Sequence, residues 1–374
     1  MRRDKVLRFV TMAFVFGAFV GLVCGLAFGG SSNPSTARAA SNDDSATTST
    51  EASADDTTSP GEPMTAERAR AIGANELGQV LVIMYHLIDT EETEWTRTPD
   101  NMRKDIAALK AEGYYPINLR DLASGNIDIP AGKSPVVITF DDSSPGQYRI
   151  LDDGSVDPDS AVGILQAAVA DGDWAPRATF FPLIDVQPKE RKIFGQDDKK
   201  QEKLVNLVHW GYEIGSHTVT HLNLNTASKQ EATKQLAQSK SILEDLIGGG
   251  YELTSLSVPF GEYPSSDSLI ASGEYTPSSE GAKSVPYAYN AAVSVKGEPC
   301  PSPFSTAFDP LHIPRVRGSD WAEPKLSTVL QKLKNNPQLR YVSDGDPTTV
   351  SAPKEVDEAL GSILEDLGRP VIRY

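Results

Sequence analysis

The chain has 374 residues, is 39% hydrophobic and 23% charged, and carries a formal net charge of −16. That length suits one large domain or two ordinary ones. The acidity, with no basic stripe, excludes a nucleic-acid partner as the expected ligand. Of the two cysteines, Cys24 falls in the N-terminal apolar run and Cys300 stands alone, so no disulfide within the folded part is expected.

Arg2, Arg3, Lys5 and Arg8 precede an uninterrupted run of apolar or small residues over 9–28. A cleaved signal needs an apolar core of roughly 7–15 residues and a membrane-spanning helix roughly 20. Residues 1–30 therefore read as a signal-anchor, with a cleaved signal as the alternative; "TARAA" (36–40) offers a small-x-small cleavage site. Either way the basic end stays cytoplasmic and the remainder lies outside, tethered to the membrane or secreted. Residues 31–64 are rich in Ser, Thr, Ala, Asp and Pro, a composition that buries no core and serves as a disordered linker. The folded domain is expected over 65–374.

Within it, 67–78 reads as a short helix and 79–86 ("QVLVIMYH") as a strand. Apolar residues at helical spacing from 99 turn at Gly113 into a short strand. "PVVITF" (135–140) is the next strand, followed by a helix over 160–172, the strand "RATFFPLI" (177–184), and a helix over 200–211 ending at Gly211. The strand "YEIGSH" (212–217) precedes a long helix over 228–249 with Ser228 as N-cap. Further strands are expected at 253–261 and 288–295, and late helices at 325–336 and 355–367. Strands alternating with helices predict an α/β fold with a parallel sheet, as a barrel or distorted barrel. In such folds chemistry gathers at the C-terminal ends of strands.

That is where the unusual residues fall. "VVITFDD" (136–142) ends a buried-looking strand in two adjacent carboxylates, Asp141 and Asp142, which repel unless a positive partner is near. His86 ends another strand. In "GSHTVTH" (215–221), His217 and His221 stand at i, i+4, predicted to share one face of a helical turn. Two imidazoles and one carboxylate make a three-ligand site with an open position, the arrangement of catalytic zinc. One divalent ion is thus expected. Zinc suits these ligands best, and cobalt, nickel or iron also accept them.

"TFDDS" followed by "EIGSHTVTH" resembles the NodB-homology polysaccharide deacetylases, carbohydrate esterase family 4. The resemblance runs from about Val80 to Val316. "ATFF" (178–181) and "SVPFGEY" (257–263) fall where that family has its TFF strand and its proline motif, while "VIMYH" and "IPRV" resemble the poly-N-acetylglucosamine deacetylase subgroup. The resemblance implies a distorted (β/α) barrel and metal-assisted removal of acetyl groups from an acetylated polysaccharide. It implies Asp141 as catalytic base, Asp142, His217 and His221 as metal ligands, and the backbone N–H of Phe260, beside Pro259, as oxyanion donor. The family arginine two residues before the motif proline is replaced by Ser257, which leaves Arg315, or Arg317, to hold the base. No histidine follows His312, so the family's late histidine is missing; the resemblance to the subgroup, which brings its acid from the early strand, implies His86 as the acid, with His312 second. Ser143 stands where the family commonly has glycine. An O-acetyl xylan esterase and an inactive tethered glycan-binding module are the alternatives, and no protein partner is inferred.

Overall fold

The computed structural model describes residues 63–170, 172 and 174–374. The expected signal-anchor and nearly all of the linker lie outside the described residues. Among the described residues no helix is long and apolar enough to cross a membrane.

The strands that build the scaffold of the site are β1 (Leu81–Tyr85), β2 (Tyr114–Ile117), β3 (Ser134–Asp141), β4 (Thr179–Phe181), β5 (Glu213–Ile214), β6 (Ser255–Ser257), β7 (Ala291–Val293) and β8 (Val316–Arg317). The main helices are α1 (Pro99–Ala111), α2 (Ala161–Ala170), α3 (Lys200–His209), α4 (Lys229–Ile247) and α5 (Leu326–Asn335). The fold is α/β with a parallel sheet in the order β8-β1-β3-β4-β5, and β2 pairs with the first half of β3. Two single bridges, Ser216 to Leu256 and Val293 to Ile313, link β5 to β6 and β7 to the approach to β8. With β6 paired to β7, the parallel pairings run in a complete circuit.

β3 is buried at all its positions, which explains why it reads as a continuous apolar run rather than an alternating one. Its residues still part by the period of two. Val136, Ile138 and Phe140 pack into the larger core, which also takes Leu165 of α2 and Leu204 of α3. Val137 faces the second core, with Val82 of β1, Phe181 of β4 and Val293 of β7. Thr139 and Asp141 continue that parity, so Asp141 arrives at the strand's C-terminal end already facing inwards.

Several expected elements differ. The strands expected at 253–261 and 288–295 shorten to β6 and β7, the first stopped by Pro259, which has no N–H to extend a ladder. The helix expected over 355–367 is a single turn, Glu358–Leu360, because Gly361 leaves the helical region (φ 73°) and Ile363 bridges to Ser305 instead. The turn bearing His217 and His221 is not α-helical: Thr218 and His221 both take left-handed backbone (φ 62° and 57°).

Candidate metal centre and active site

The two carboxylates are separated by the backbone. β3 ends at Asp141, and the next two residues, Asp142 and Ser143, turn left-handed (φ 74° and 47°), a conformation that aspartate tolerates better than most residues. The turn sends the neighbouring side chains to different partners.

Asp141, 2% exposed, is gripped by Arg315, which is wholly buried. Nη1 donates to Oδ1 and Nη2 to Oδ2, both at 2.8 Å. Ser257 Oγ donates to Oδ2 at 2.9 Å. Arg315 is itself fixed by donating from Nε to the Ser294 carbonyl (2.9 Å) and from Nη1 to Thr139 Oγ1 (3.0 Å). Burial opposes ionisation of Asp141, but the charge and hydrogen bonds of Arg315 outweigh it and hold the carboxyl well below the usual range.

Asp142 faces the histidines. Its Oδ1 lies 3.4 Å from His217 Nε2 and 3.6 Å from His221 Nε2, and one ligand atom from each of the three residues falls within 4.8 Å of the others. Oδ1 is buried with no hydrogen-bond partner. Oδ2 pairs with Arg191 Nη2 at 2.5 Å. Burial works against this carboxylate too, yet His217 first, then His86 and Arg191, bring its pKa down to about 2.

The histidine turn is built by close packing. Gly215 has no room for a side chain: a Cβ there would lie 2.4 Å from the Phe181 ring and 2.5 Å from Ser255 Oγ. Gln235 of α4 accepts from the N–H groups of Val219 (2.9 Å) and Thr220 (3.0 Å), satisfying a turn that no helix satisfies. His217 Nδ1 donates to the Ser257 carbonyl at 2.7 Å, which fixes the tautomer and turns the Nε2 lone pair towards Asp142. Burial pushes His221 down to about 4, so its imidazole is neutral at neutral pH. Burial also lowers the unpaired tendency of His217 to protonate, but Asp142 and Asp141 reverse the sign and its net shift is upward.

Asp141, Asp142, His217 and His221 line one cleft of about 940 Å³ with His86, Trp95, Arg191, Phe260 and Arg317. His86 Nε2 is 3.9 Å from Asp141 Oδ2, and burial depresses its pKa despite both carboxylates. Pro259 opens a short turn, Pro259–Gly261, in which Phe260 takes φ 61° and lays its ring edge-on to His221 at 4.3 Å. Arg317 does not reach the base; it pairs with Glu94 (3.1 Å) and covers the Trp95 ring (4.3 Å). His312 is outside the cleft lining, stacked on Tyr263 and bonded to Asp309. Sequence reasoning missed Arg191 and Trp95. Both come from irregular segments after strand ends, where spacing carries no signal.

Carboxylates and imidazoles thus gather at the strand ends of a parallel α/β fold. Residues 128–273 match the family model described as polysaccharide deacetylase, a segment that contains Asp141, Asp142, His217, His221 and Phe260 but neither His86 nor Arg315. The chain is 24% identical over 190 residues to YxkH of Bacillus subtilis (strain 168), which carries a provisional polysaccharide deacetylase name. That match covers 49% of this chain and 57% of the relative, so the chain spans little more than half the relative's length. Among solved structures, BC0361, a polysaccharide deacetylase from Bacillus cereus, is similar at 20% identity and a TM-score of 0.48, covering 69% of this chain and 68% of that one. IcaB from Ammonifex degensii is similar at 15% identity and a TM-score of 0.46, covering 68% and 97%. Over residues 128–273, then, the chain is similar to polysaccharide deacetylases.

Proposed function

We propose that this protein removes acetyl groups from an N-acetylated extracellular glycan, a poly-N-acetylglucosamine-type exopolysaccharide or peptidoglycan, in a reaction that depends on one divalent metal ion. The circuit of parallel pairings supports a distorted (β/α) barrel of NodB type as the scaffold. The proposed domain runs over 65–374, outside the cytoplasm, on an N-terminal anchor or after its cleavage.

One observation carries the reading: a buried carboxylate oxygen without a hydrogen-bond partner, Asp142 Oδ1, lies 3.4 Å from His217 Nε2 and 3.6 Å from His221 Nε2. A buried acceptor left unmatched is costly, and a cation held by Asp142, His217 and His221 removes that cost. When bound there, the ion supplies Lewis acidity towards the acetyl carbonyl and lowers the pKa of water. Zinc is the metal these ligands favour, with cobalt, nickel or iron acceptable.

The chain's own groups do the rest. Asp141, kept anionic by Arg315, accepts the proton of the attacking water. The backbone N–H of Phe260 donates to the developing oxyanion, a contact worth roughly 3–4 kcal/mol in comparable sites. His86 is neutral before reaction because burial lowers its pKa, and it stands 3.9 Å from Asp141. It takes over the proton that Asp141 accepts from the water, which returns Asp141 to its anion, and delivers it to the departing amine, which leaves poorly without one.

Acetate release by the full chain tests the proposal, using N-acetylglucosamine oligomers, peptidoglycan and acetylated xylan with and without added zinc. Zinc-dependent release from the N-acetylated substrates is expected. Release from xylan alone would make the protein an O-acetyl esterase, and no release from any substrate would leave a binding module.

A further inference from the structure

We propose that Arg191 is a positioning residue of the metal centre: it holds Asp142 by Oδ2 so that Oδ1 alone faces the imidazoles, and Ser143 fixes the segment that carries it. The proposal rests on the metal-dependent reading above and adds two residues to it.

The two oxygens of Asp142 have different surroundings. Oδ2 is paired with Arg191 Nη2 at 2.5 Å, while Oδ1 points at His217 and His221 and has no hydrogen-bond partner. A carboxylate with one oxygen engaged by a guanidinium offers a metal a single, directed donor. A free carboxylate can swing, or chelate with both oxygens. Groups that orient a ligand in this way commonly carry a substantial share of metal affinity. Exposed ion pairs contribute little, but this one lies on the wall of the cleft and Asp142 is largely enclosed.

Arg191 sits in the single turn Lys189–Arg191, in the irregular chain between β4 and α3. The arrangement that brings it to Asp142 depends on Ser143. The Ser143 hydroxyl donates to the Arg191 carbonyl at 2.5 Å and accepts from the Leu183 N–H at 3.0 Å. The Ser143 carbonyl accepts from the Phe194 N–H at 3.1 Å. Both ends of the 183–194 segment are thus tied to the residue that follows Asp142. Glycine would suit the left-handed backbone at 143 better, yet it has no hydroxyl to bind Leu183 and Arg191. The serine seen in the sequence at an expected glycine position therefore has a function in this chain, namely to anchor the arginine's loop.

Zinc affinity of the metal-stripped full chain, measured by competition with a chromogenic chelator, tests this, together with the visible spectrum of the cobalt-loaded protein. Arg191→Ala is expected to weaken zinc binding about 10–100-fold, the range for lost orienting partners. Its cobalt spectrum should change in position or intensity, because Asp142 would be free to offer both oxygens. Arg191→Lys should recover part of both losses. Ser143→Ala, with Arg191 still present, should move both in the same direction by less. Zinc affinity and cobalt spectrum unchanged in Arg191→Ala, or tighter binding there, would overturn the positioning role while leaving the metal reading intact. An unchanged Ser143→Ala would overturn the anchoring role. A wild-type chain that binds no zinc or cobalt would overturn the metal reading, and this inference with it.

Discussion

Arg315 and Asp141 lie 174 positions apart in the chain and meet in a two-point grip, each carboxylate oxygen 2.8 Å from a separate guanidinium nitrogen. The grip answers the difficulty posed by two adjacent aspartates at the end of a buried strand. One is neutralised from inside the fold by Arg315. The other turns through left-handed backbone to meet Arg191 and the imidazoles.

Removing Arg315 should therefore do more than lower activity. Arg315→Ala leaves a buried carboxylate without its counter-charge, a change that typically costs about 3–5 kcal/mol. Urea denaturation should show a loss of that order, with acetate release abolished. Arg315→Lys should recover only part of the stability, because one ammonium cannot span both oxygens. Wild-type stability in Arg315→Ala would mean that water or Ser257 already satisfies Asp141.

His86 separates chemistry from metal binding. It lines the cleft beside Asp141 and is no member of the metal cluster. His86→Ala should keep the metal content of the wild type and lose turnover by about 10²–10⁴-fold, the usual weight of a general acid. Metal analysis and kcat on one preparation decide it. Turnover equal to wild type would remove His86 from proton transfer and leave it as a wall of the cleft.

How much of this could be read beforehand depends on how local the cause is. The strand into Asp141 was legible because burial on both faces forces an apolar run, and the period of two then set its facing. Arg315 was legible as a candidate because Ser257 occupies the place of an arginine, and the likeness of "IPRV" to the subgroup favoured it over Arg317. The spacing of His217 and His221 gave their proximity, but the helical turn it suggested is replaced by left-handed residues that Gln235 supports from α4. That support is tertiary and has no trace in local sequence. The helix pattern over 355–367 failed for the opposite reason: Gly361, in the middle of it, favours a break over continuation. Arg191 and Trp95 come from irregular segments, and the serine at 143, visible in the sequence, gave no hint that its hydroxyl binds the Arg191 carbonyl.

Trp95 bears on substrate binding. Its side chain is 41% exposed on the cleft wall, backed by Arg317 on its ring and set edge-on to His86 at 4.8 Å. A flat apolar surface beside the acid is suited to a sugar ring. Trp95→Ala should raise KM about tenfold, as a lost contact of roughly 1.4 kcal/mol does, with kcat changed far less. A fall in kcat at constant KM would instead assign Trp95 to holding His86.

The last prediction concerns pH and a group outside the cleft lining. Glu76 is 3% exposed, and burial, with the nearby Asp344 carboxylate second, pushes its pKa from 4.5 up to about 8. The N–H of Ser351 and the hydroxyl of Tyr341 donate to it at 2.8 and 3.1 Å and only partly offset that rise. The folded state thus keeps a proton that the unfolded chain gives up near 4.5. Its contribution to stability is complete below that pH and is lost progressively as pH rises to about 8. Urea midpoints of the wild type should fall between pH 5 and pH 8, and Glu76→Gln, which stays uncharged, should fall less over the same interval. Parallel declines for the two proteins would show that Glu76 is already ionised in the folded state and that its hydrogen-bond donors, rather than burial, decide its charge.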